Sequence, residues 1–392
     1  MRLIPAKLAT HGMRLGRSVL DSEGRLILAA GFTLRQRYID LLVQQGYTSL
    51  YVADDLEEVE LPELVTVETR REVMSCIMEF TGVGKIGKMG KMAATGQAAS
   101  TFTAQAMAAG KTKARPDVTS RLARVAQMLV DEIISRPEVV IGLLDIKSLH
   151  DYTFAHSVQV ALVAMASARV LGYNRKDLLD LGMGTLLHDV GKVAVDESLW
   201  NKKERLDNEE YEVVKTHTTA GFDFLRKANV GLLPAHVALQ HHERWNGSGY
   251  PRGLREQEIL KHARLCAVCD VFDAITSDRP YKQALHPSEA LAFISENAGS
   301  LFDPEMVDAL HSVIAPYPVA TSVLLSTGET AVVKRINYRA LDRPLVVLTK
   351  DPQNRYYKTR RDIDLSEVDE VTITGYVSWQ GEGAATDGVP GN

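Results

Sequence analysis

The chain has 392 residues, of which 45% are hydrophobic and 24% charged, and its formal net charge is −5 at pH 7. This composition is typical of a globular protein of two or three domains, and the negative charge argues against a nucleic-acid polymer as partner. No apolar run of about eighteen residues indicates a transmembrane span, and the N-terminus lacks the apolar core of a signal peptide. Because three cysteines are too few for a disulfide framework, we expect a reducing cytoplasm as the location.

The residue pattern over positions 1–80 predicts a small α/β module. A turn between two apolar runs indicates a hairpin over Ser18–Leu28, and apolar residues at helical spacing over Thr33–Gln45 predict a helix capped by its first residue. Residues 48–52 alternate as a short strand, and residues 62–80 have a helical pattern. We expect this module to make any contacts with a second copy or with protein partners.

The next segment, 81–115, has a different composition. It is rich in glycine, alanine and basic residues and has no acidic residue. We interpret it as a flexible, solvated linker, and a basic patch for a membrane or a protein partner is the alternative.

Residues 116–317 predict one helical domain. Apolar residues recur at intervals of three and four over Asp117–Arg136, and no long β-branched run interrupts the rest. Helix N-terminal signatures occur at Asn174 with Asp177, Asp207 with Glu210, and Asp303 with Pro304. Cys266 and Cys269 have the spacing of a redox motif, but they lie in an apolar helical pattern, so we expect them to pack in the core.

Residues 318–380 predict a small β domain. Four β-branched segments are separated by turn-forming residues, at Ser322–Leu325, Thr330–Ile336, Leu345–Thr349 and Val371–Trp379. The last residues, 381–392, have little to bury, and we expect them to be disordered. The predicted fold class is therefore mainly α, with a helical core between a small α/β module and a small β domain.

Residues with metal-ligating side chains recur through the helical domain. They are His156, His188, Asp189, His217, His241, His242 and Asp270. Imidazoles and carboxylates bind Fe, Mn, Zn or Ni, and one ion takes about four to six donors, so this set suggests two ions that share a carboxylate. A single histidine of this kind is more often a satisfied core residue. The joint occurrence of two adjacent pairs, at 188–189 and 241–242, favours a dimetal hydrolase.

The surrounding sequence resembles the HD-GYP family, bacterial cyclic di-GMP phosphodiesterases within the HD hydrolase superfamily. The resemblance covers about residues 140–315. It is carried by His188-Asp189 with Gly191-Lys192, by His241-His242-Glu243 with Gly247 and Gly249-Tyr250-Pro251, and by Asp270, Asp273 and Arg279-Pro-Tyr-Lys282. The resemblance implies an HD-type helical bundle for the core.

The family pattern also implies roles for individual residues. All seven donors become metal ligands, with Asp189 bridging the ions, and Lys192 joins Asp189 in catalysis. The implied substrate-binding residues are Gly249, Tyr250, Pro251, Asp273, Arg279 and Lys282. Some members hold a third metal through a glutamate four residues before the first histidine. Tyr152 stands at that position here, so we expect two divalent ions, Fe or Mn.

The implied reaction is hydrolysis of cyclic di-GMP to linear pGpG or GMP by a hydroxide that the two metals activate. Lys192 would stabilise the charge that develops on the phosphate. Two alternatives stay open: a non-catalytic cyclic di-GMP sensor or protein-interaction module, and a generic HD-superfamily nucleotide phosphohydrolase.

Overall fold

The computed structural model describes residues 2–20, 26–45, 47, 49–53, 65–81, 116–135, 152–200, 202, 204–277 and 284–377. These residues belong to two compact units. One unit contains the described residues of 1–62 and 315–392, and the other contains those of 63–141 and 151–314. The predicted linker beyond Thr81 and the predicted tail 381–392 lie outside the described residues.

The N-terminal part of the first unit is a small α/β arrangement. Strand β1 (Arg2–Pro5) pairs antiparallel with β4 (Ser49–Val52), and β2 (Val19–Leu20) pairs with β3 (Leu26–Leu28). Helix α1 (Gln36–Gln44) begins two residues later than expected, since its N-cap is Arg35, in an extended conformation, and not Thr33. Aliphatic side chains, including Ile4, Leu15, Leu34 and Leu42, form the core of this part.

The second unit is helical. Its described α-helices are α2 (Val67–Thr81), α3 (Pro116–Ser135), α4 (Tyr152–Val170), α5 (Arg175–Leu186), α6 (Glu197–Trp200), α7 (Asn208–Lys215), α8 (His217–Lys227), α9 (Leu232–Gln240), α10 (Lys261–Thr276), α11 (Pro287–Glu296) and α12 (Pro304–His311). Short 3-10 turns cover Val190–Ala194 and Glu256–Glu258. Helix α4 is central: residues 156–168 are all buried, and it packs against α5, α10 and α12.

The three N-terminal signatures act as the sequence predicts. Asn174 accepts backbone hydrogen bonds at the start of α5, Asp207 and Glu210 form a reciprocal capping box, and Asp303 caps α12 ahead of Pro304. These interactions are local, within three residues, so they do not depend on the rest of the fold. The Asn174 cap fixes where α5 begins, and His188 and Asp189 follow the C-terminus of that helix.

Helix α2 belongs to the helical unit, and not to the N-terminal module that we predicted over residues 1–80. Its buried side chains include Val73 and Ile77, and it packs against α3. Arg121 of α3 pairs with Glu72 and Glu79 at 2.9 and 2.8 Å. The module therefore ends before α2, because the apolar face of α2 is covered by α3.

The C-terminal part of the first unit is a five-stranded antiparallel sheet with the order β8-β7-β6-β5-β9. The strands are β5 (Ser322–Leu325), β6 (Thr330–Arg335), β7 (Leu345–Lys350), β8 (Asp362–Asp364) and β9 (Ile373–Tyr376). Strand β8 had no sequence signal, since its alternation is Asp-Ile-Asp and it lies at the edge of the sheet. The last strand is shorter than the predicted segment.

Candidate metal centre

The predicted donors come from five places in the helical unit. His156 lies on α4, and His188 and Asp189 follow the C-terminus of α5. His217 begins α8, and His241 and His242 follow α9. Asp270 lies on α10. The donors are thus presented by the central helix α4, by helix α10 and by the ends of shorter helices around them.

The structure brings these donors into two groups that share one residue. Asp189, His217, His241 and His242 form one group, and His156, His188 and Asp189 form the other, with the candidate ligand atoms of each group within 4.8 Å of one another. Asp270 completes the second group, since its Oδ1 lies 3.0 Å from His156 Nε2 and 3.9 Å from His188 Nε2. All seven predicted donors therefore lie in one cluster.

Asp189 is the centre of the cluster. Its Oδ1 lies 3.7 Å from both His217 Nε2 and His241 Nε2. Its Oδ2 lies 3.3 Å from His188 Nε2 and 4.0 Å from His156 Nε2. Each oxygen thus faces a different donor group, so this one carboxylate could supply a ligand atom to both groups.

Three of the imidazoles are oriented in the same way. Each Nδ1 contacts the backbone carbonyl three residues earlier: His188 with Thr185 at 2.7 Å, His217 with Val214 at 2.7 Å, and His241 with Ala238 at 2.9 Å. When Nδ1–H donates to a carbonyl, the Nε2 lone pair is left for a ligand. The turns at the helix ends therefore aim three Nε2 atoms at Asp189.

His156 is oriented by a carboxylate instead. Its Nδ1 lies 2.5 Å from Asp273 Oδ2, one helical turn after Asp270 on α10. Burial lowers the pKa of His156, but the hydrogen bonds to Asp270 and Asp273 outweigh burial and raise it to about 10. We predicted a substrate-binding role for Asp273. Its contact in the structure is with a candidate ligand, so the structure shows a carboxylate–histidine pair of the kind that supports bound metals.

The charge states of three other donors, His217, His242 and Asp189, suit metal binding. Burial lowers the pKa of His217 to about 4 and holds that of His242 well below its ordinary value. Burial raises the pKa of Asp189, but the charges of Lys192 and His188 outweigh burial and hold it well below its usual range. Neutral imidazoles and ionised carboxylates are the forms that bind metal ions.

Two buried polar atoms without a hydrogen-bond partner in the described residues are evidence that the cluster can hold a cation. His188 Nε2 and Asp189 Oδ1 are inaccessible to solvent, and neither forms a hydrogen bond of normal geometry within the described part of the chain. An unsatisfied buried polar atom is costly, so native structures normally provide it with a partner. The residues present therefore fit one or more metal ions.

The Gly-Tyr-Pro segment lies against the same cluster. The Tyr250 ring stacks on the His242 ring, with centroids 4.7 Å apart and planes 25° apart, and the Tyr250–Pro251 peptide bond is cis. A Cβ on Gly249 would collide with the backbone of His242 and of Arg244, so only glycine fits there. The segment thus forms one wall of the cluster.

Glu243 holds that segment in place, a role that the sequence did not reveal. Its side chain is buried, and its two oxygens accept the backbone N–H groups of Arg252 at 2.8 Å and Leu254 at 3.0 Å. The glutamate is part of the motif at 241–243, but its partners lie about ten residues further on. Periodicity carries no signal for such a contact.

Lys192 reaches the cluster from the turn after Asp189. Its Nζ donates a hydrogen bond to Asp189 Oδ2. Gly191 beside it has no room for a Cβ, which would collide with the His217 carbonyl, so α8 packs directly on this turn. The predicted substrate residues Arg279 and Lys282 lie outside the described residues, and the substrate roles of Gly249, Tyr250 and Pro251 stay predictions.

Comparison with known proteins identifies the helical core. The family model described as HD domain matches residues 96–306, more than half of the chain. A cyclic di-GMP phosphodiesterase of Pseudomonas aeruginosa is 36% identical over 257 residues, which are 64% of this chain and 62% of that protein. The cyclic di-GMP phosphodiesterase response regulator of Xanthomonas campestris pv. campestris is 42% identical over 163 residues, 40% of this chain and 42% of that protein.

A third relative has a different substrate in its name. The 3′3′-cGAMP-specific phosphodiesterase 3 of Vibrio cholerae is 35% identical over 176 residues, 45% of this chain and 38% of that protein. The chain spans less than two thirds of the length of each of these relatives. The segment matched by the family model, residues 96–306, includes all seven predicted donors. This chain belongs to the HD domain family, and its motifs place it in the HD-GYP branch.

Proposed function

We propose that this chain is a metal-dependent phosphodiesterase that hydrolyses the bacterial second messenger cyclic di-GMP. The observation that carries the proposal is the position of Asp189, whose carboxylate belongs to both donor groups. A shared carboxylate between two sets of imidazoles is the donor chemistry of a dimetal hydrolase. The names of two relatives supply the substrate class.

The proposal includes two divalent ions, Fe or Mn. One set of ligands is His156, His188, Asp189 and Asp270, and the other is Asp189, His217, His241 and His242. Mixed imidazole and carboxylate donors suit these metals. Tyr152, in place of a carboxylate at the start of α4, supports a count of two. When bound, two such ions lower the pKa of a shared water and offset negative charge on the phosphate.

The residues of the chain supply the rest of the site. Lys192 places a positive charge beside Asp189, where negative charge develops on the phosphate as the nucleophile attacks. The Gly249–Pro251 segment offers backbone and the Tyr250 ring next to His242, and we propose that it contacts the cyclic dinucleotide. Burial raises the pKa of Tyr250, so its hydroxyl stays protonated and available as a donor. Arg279 and Lys282 are proposed to bind phosphate or guanine.

The alternatives are less well supported. A sensor without catalysis tolerates the loss of donors or of Lys192, and this chain retains all of them. A generic nucleotide phosphohydrolase has no need of the Gly-Tyr-Pro segment. None of the described helices combines the length and hydropathy of a membrane crossing, and the cysteines of the helical unit are free and buried. The cytoplasmic location that we propose rests on the free cysteines, which are typical of a reducing compartment.

The decisive experiment measures metal content and substrate preference together. The full chain is purified anaerobically, its Fe and Mn are quantified, and it is assayed with cyclic di-GMP and with 3′3′-cGAMP under the same conditions. We expect two metals per chain and a higher kcat/KM for cyclic di-GMP. Three metals would contradict the proposed count, preference for 3′3′-cGAMP would change the substrate, and metal-loaded protein inactive on both would refute the function.

A further inference from the structure

Lys192 has an aromatic neighbour that the sequence analysis gave no role. Trp200 ends the short helix α6, which follows the turn that carries Lys192. The Lys192 Nζ lies 4.9 Å from the centroid of the Trp200 ring, which is within the distance of a cation–π interaction. The same Nζ donates to Asp189. The ammonium is thus held between an indole face and the carboxylate that both donor groups share.

A lysine in this place needs a neighbour that restrains it. The lysine side chain is a flexible four-carbon stem with a strongly hydrated charge at its end. In this structure 29% of the Lys192 side chain is exposed, so rotation towards water is open to it. A cation–π interaction opposes that rotation, and it strengthens as the pair is withdrawn from solvent.

Trp200 is itself held by packing. Its ring meets the His217 ring edge-on, with centroids 5.6 Å apart and planes 81° apart. Its Nε1 is buried and has no hydrogen-bond partner among the residues that the structure describes. The indole therefore acts through its face and not through its N–H group, and phenylalanine at this position would lose no hydrogen bond of the described chain.

We propose that Trp200 is a positioning residue that acts through Lys192. Its indole face holds the Lys192 ammonium next to Asp189, where the ammonium can stabilise the negative charge that develops on the scissile phosphate. The inference rests on the proposed function, because that function gives Lys192 its task. Two other roles for Trp200 make different predictions. Support of His217 would affect metal binding, and stacking on a guanine base of the substrate would affect KM.

A double-mutant cycle separates these roles. The variants are Trp200→Phe, Trp200→Leu, Lys192→Ala and the pair Trp200→Leu with Lys192→Ala, each made in the full chain and loaded with metal. For each variant, metal content, kcat and KM for cyclic di-GMP are measured. Tyr356→Leu is the matched control, since Lys350 Nζ lies 4.8 Å over the Tyr356 ring in the C-terminal sheet.

The positioning role predicts a specific pattern. Trp200→Leu lowers kcat by roughly 3- to 30-fold with unchanged metal content and KM. Trp200→Phe, which keeps an aromatic face, stays within about threefold of the parent protein. In the Lys192→Ala background, Trp200→Leu has no further effect, because the group through which it acts is gone. Additive losses, loss of metal, or a raised KM with unchanged kcat each overturn the inference.

A second measurement does not depend on catalysis. The metal-loaded proteins are treated with dilute acetic anhydride, and acetylation of Lys192 is followed by peptide mass spectrometry. We expect Trp200→Leu to raise the Lys192 labelling rate by roughly 3-fold or more, and Tyr356→Leu to do the same for Lys350 without altering kcat. Unchanged labelling of Lys192 overturns the inference about Trp200. A parent protein that does not hydrolyse cyclic di-GMP refutes the proposed function, and the labelling result still decides the contact.

Discussion

The C-terminal sheet and the helical unit have cores of opposite chemistry. The sheet encloses aliphatic side chains, Val323, Leu325, Ala331, Val333, Val346, Leu348 and Leu365, and none of its described polar side chains is buried. The helical unit buries imidazoles and carboxylates around Asp189, together with apolar side chains and further polar ones such as Gln159 and Asp303. Burial of apolar area alone stabilises the first core.

The second core includes a cluster whose desolvation must be offset by hydrogen bonds and bound cations. From this comparison we expect folding and metal binding to be linked in the helical unit and independent in the sheet. Substitutions in the donor cluster should change both metal content and activity. Substitutions in the sheet core should change stability alone.

The largest effect is expected for Asp189→Ala. This change removes the carboxylate that both donor groups share, so hydrolysis should be abolished and metal content should fall. Elemental analysis and chromatography of the products measure both. Asp180→Ala, which removes a half-buried aspartate of α5 paired with the exposed Lys176, is the matched control and should behave as the parent protein. Normal activity and metal content in Asp189→Ala would show that the site lies elsewhere.

Lys192→Ala should separate chemistry from metal binding. Loss of one charge contact to the transition state typically lowers kcat by roughly two to three decades. The metals should stay bound, because Lys192 contacts Asp189 through a hydrogen bond and is not itself a proposed metal ligand. Single-turnover kinetics and elemental analysis test this, with the exposed Lys176→Ala as control. If the metals are lost, Lys192 supports the structure of the cluster instead.

Asp273→Asn tests the partner of His156. The amide keeps the shape of the side chain but removes the charge that orients the imidazole, so metal affinity should weaken by roughly 10- to 100-fold. Titration with a competing chelator measures the affinity. Asp303→Asn is the control, because Asp303 is also buried but pairs with Arg264 at 2.6 Å, away from the donors. Equal affinity in both variants would leave Asp273 with the substrate role that the sequence predicts.

Leu348→Ala should have the smallest effect on activity. Leu348 is 4% exposed in the core of the sheet, so its truncation should lower the free energy of unfolding of that region by about 2–5 kcal/mol. Metal content and kcat should not change. Leu324→Ala, which truncates a side chain that is 41% exposed on β5, should be nearly neutral in denaturant unfolding. A loss of metal in Leu348→Ala would show that the two cores are coupled.

Much of the fold followed from local patterns. The helix starts at Asn174, Asp207 and Asp303 depend on side chains within three residues of the backbone they cap, so the sequence predicts them well. The placement of α2 did not follow, because an amphipathic helix shows an apolar face but not its partner. Strand β8 was missed for a related reason: an edge strand with aspartates on one face is stabilised by pairing with β7 and not by its own composition.

The sequence by itself determined the donor set, because residue type, doublets and position on apolar helix faces are visible along the chain. Only the tertiary structure decided which donors lie together in each of the two groups. His156 meets Asp273 across 117 residues, and Asp189 turns one oxygen to each group. The tertiary structure also placed Glu243 against the backbone that follows the Gly-Tyr-Pro segment, and the Trp200 ring beside Lys192. These contacts depend on how helices pack and on side-chain rotamers, and neither is encoded in the spacing of residues along the chain.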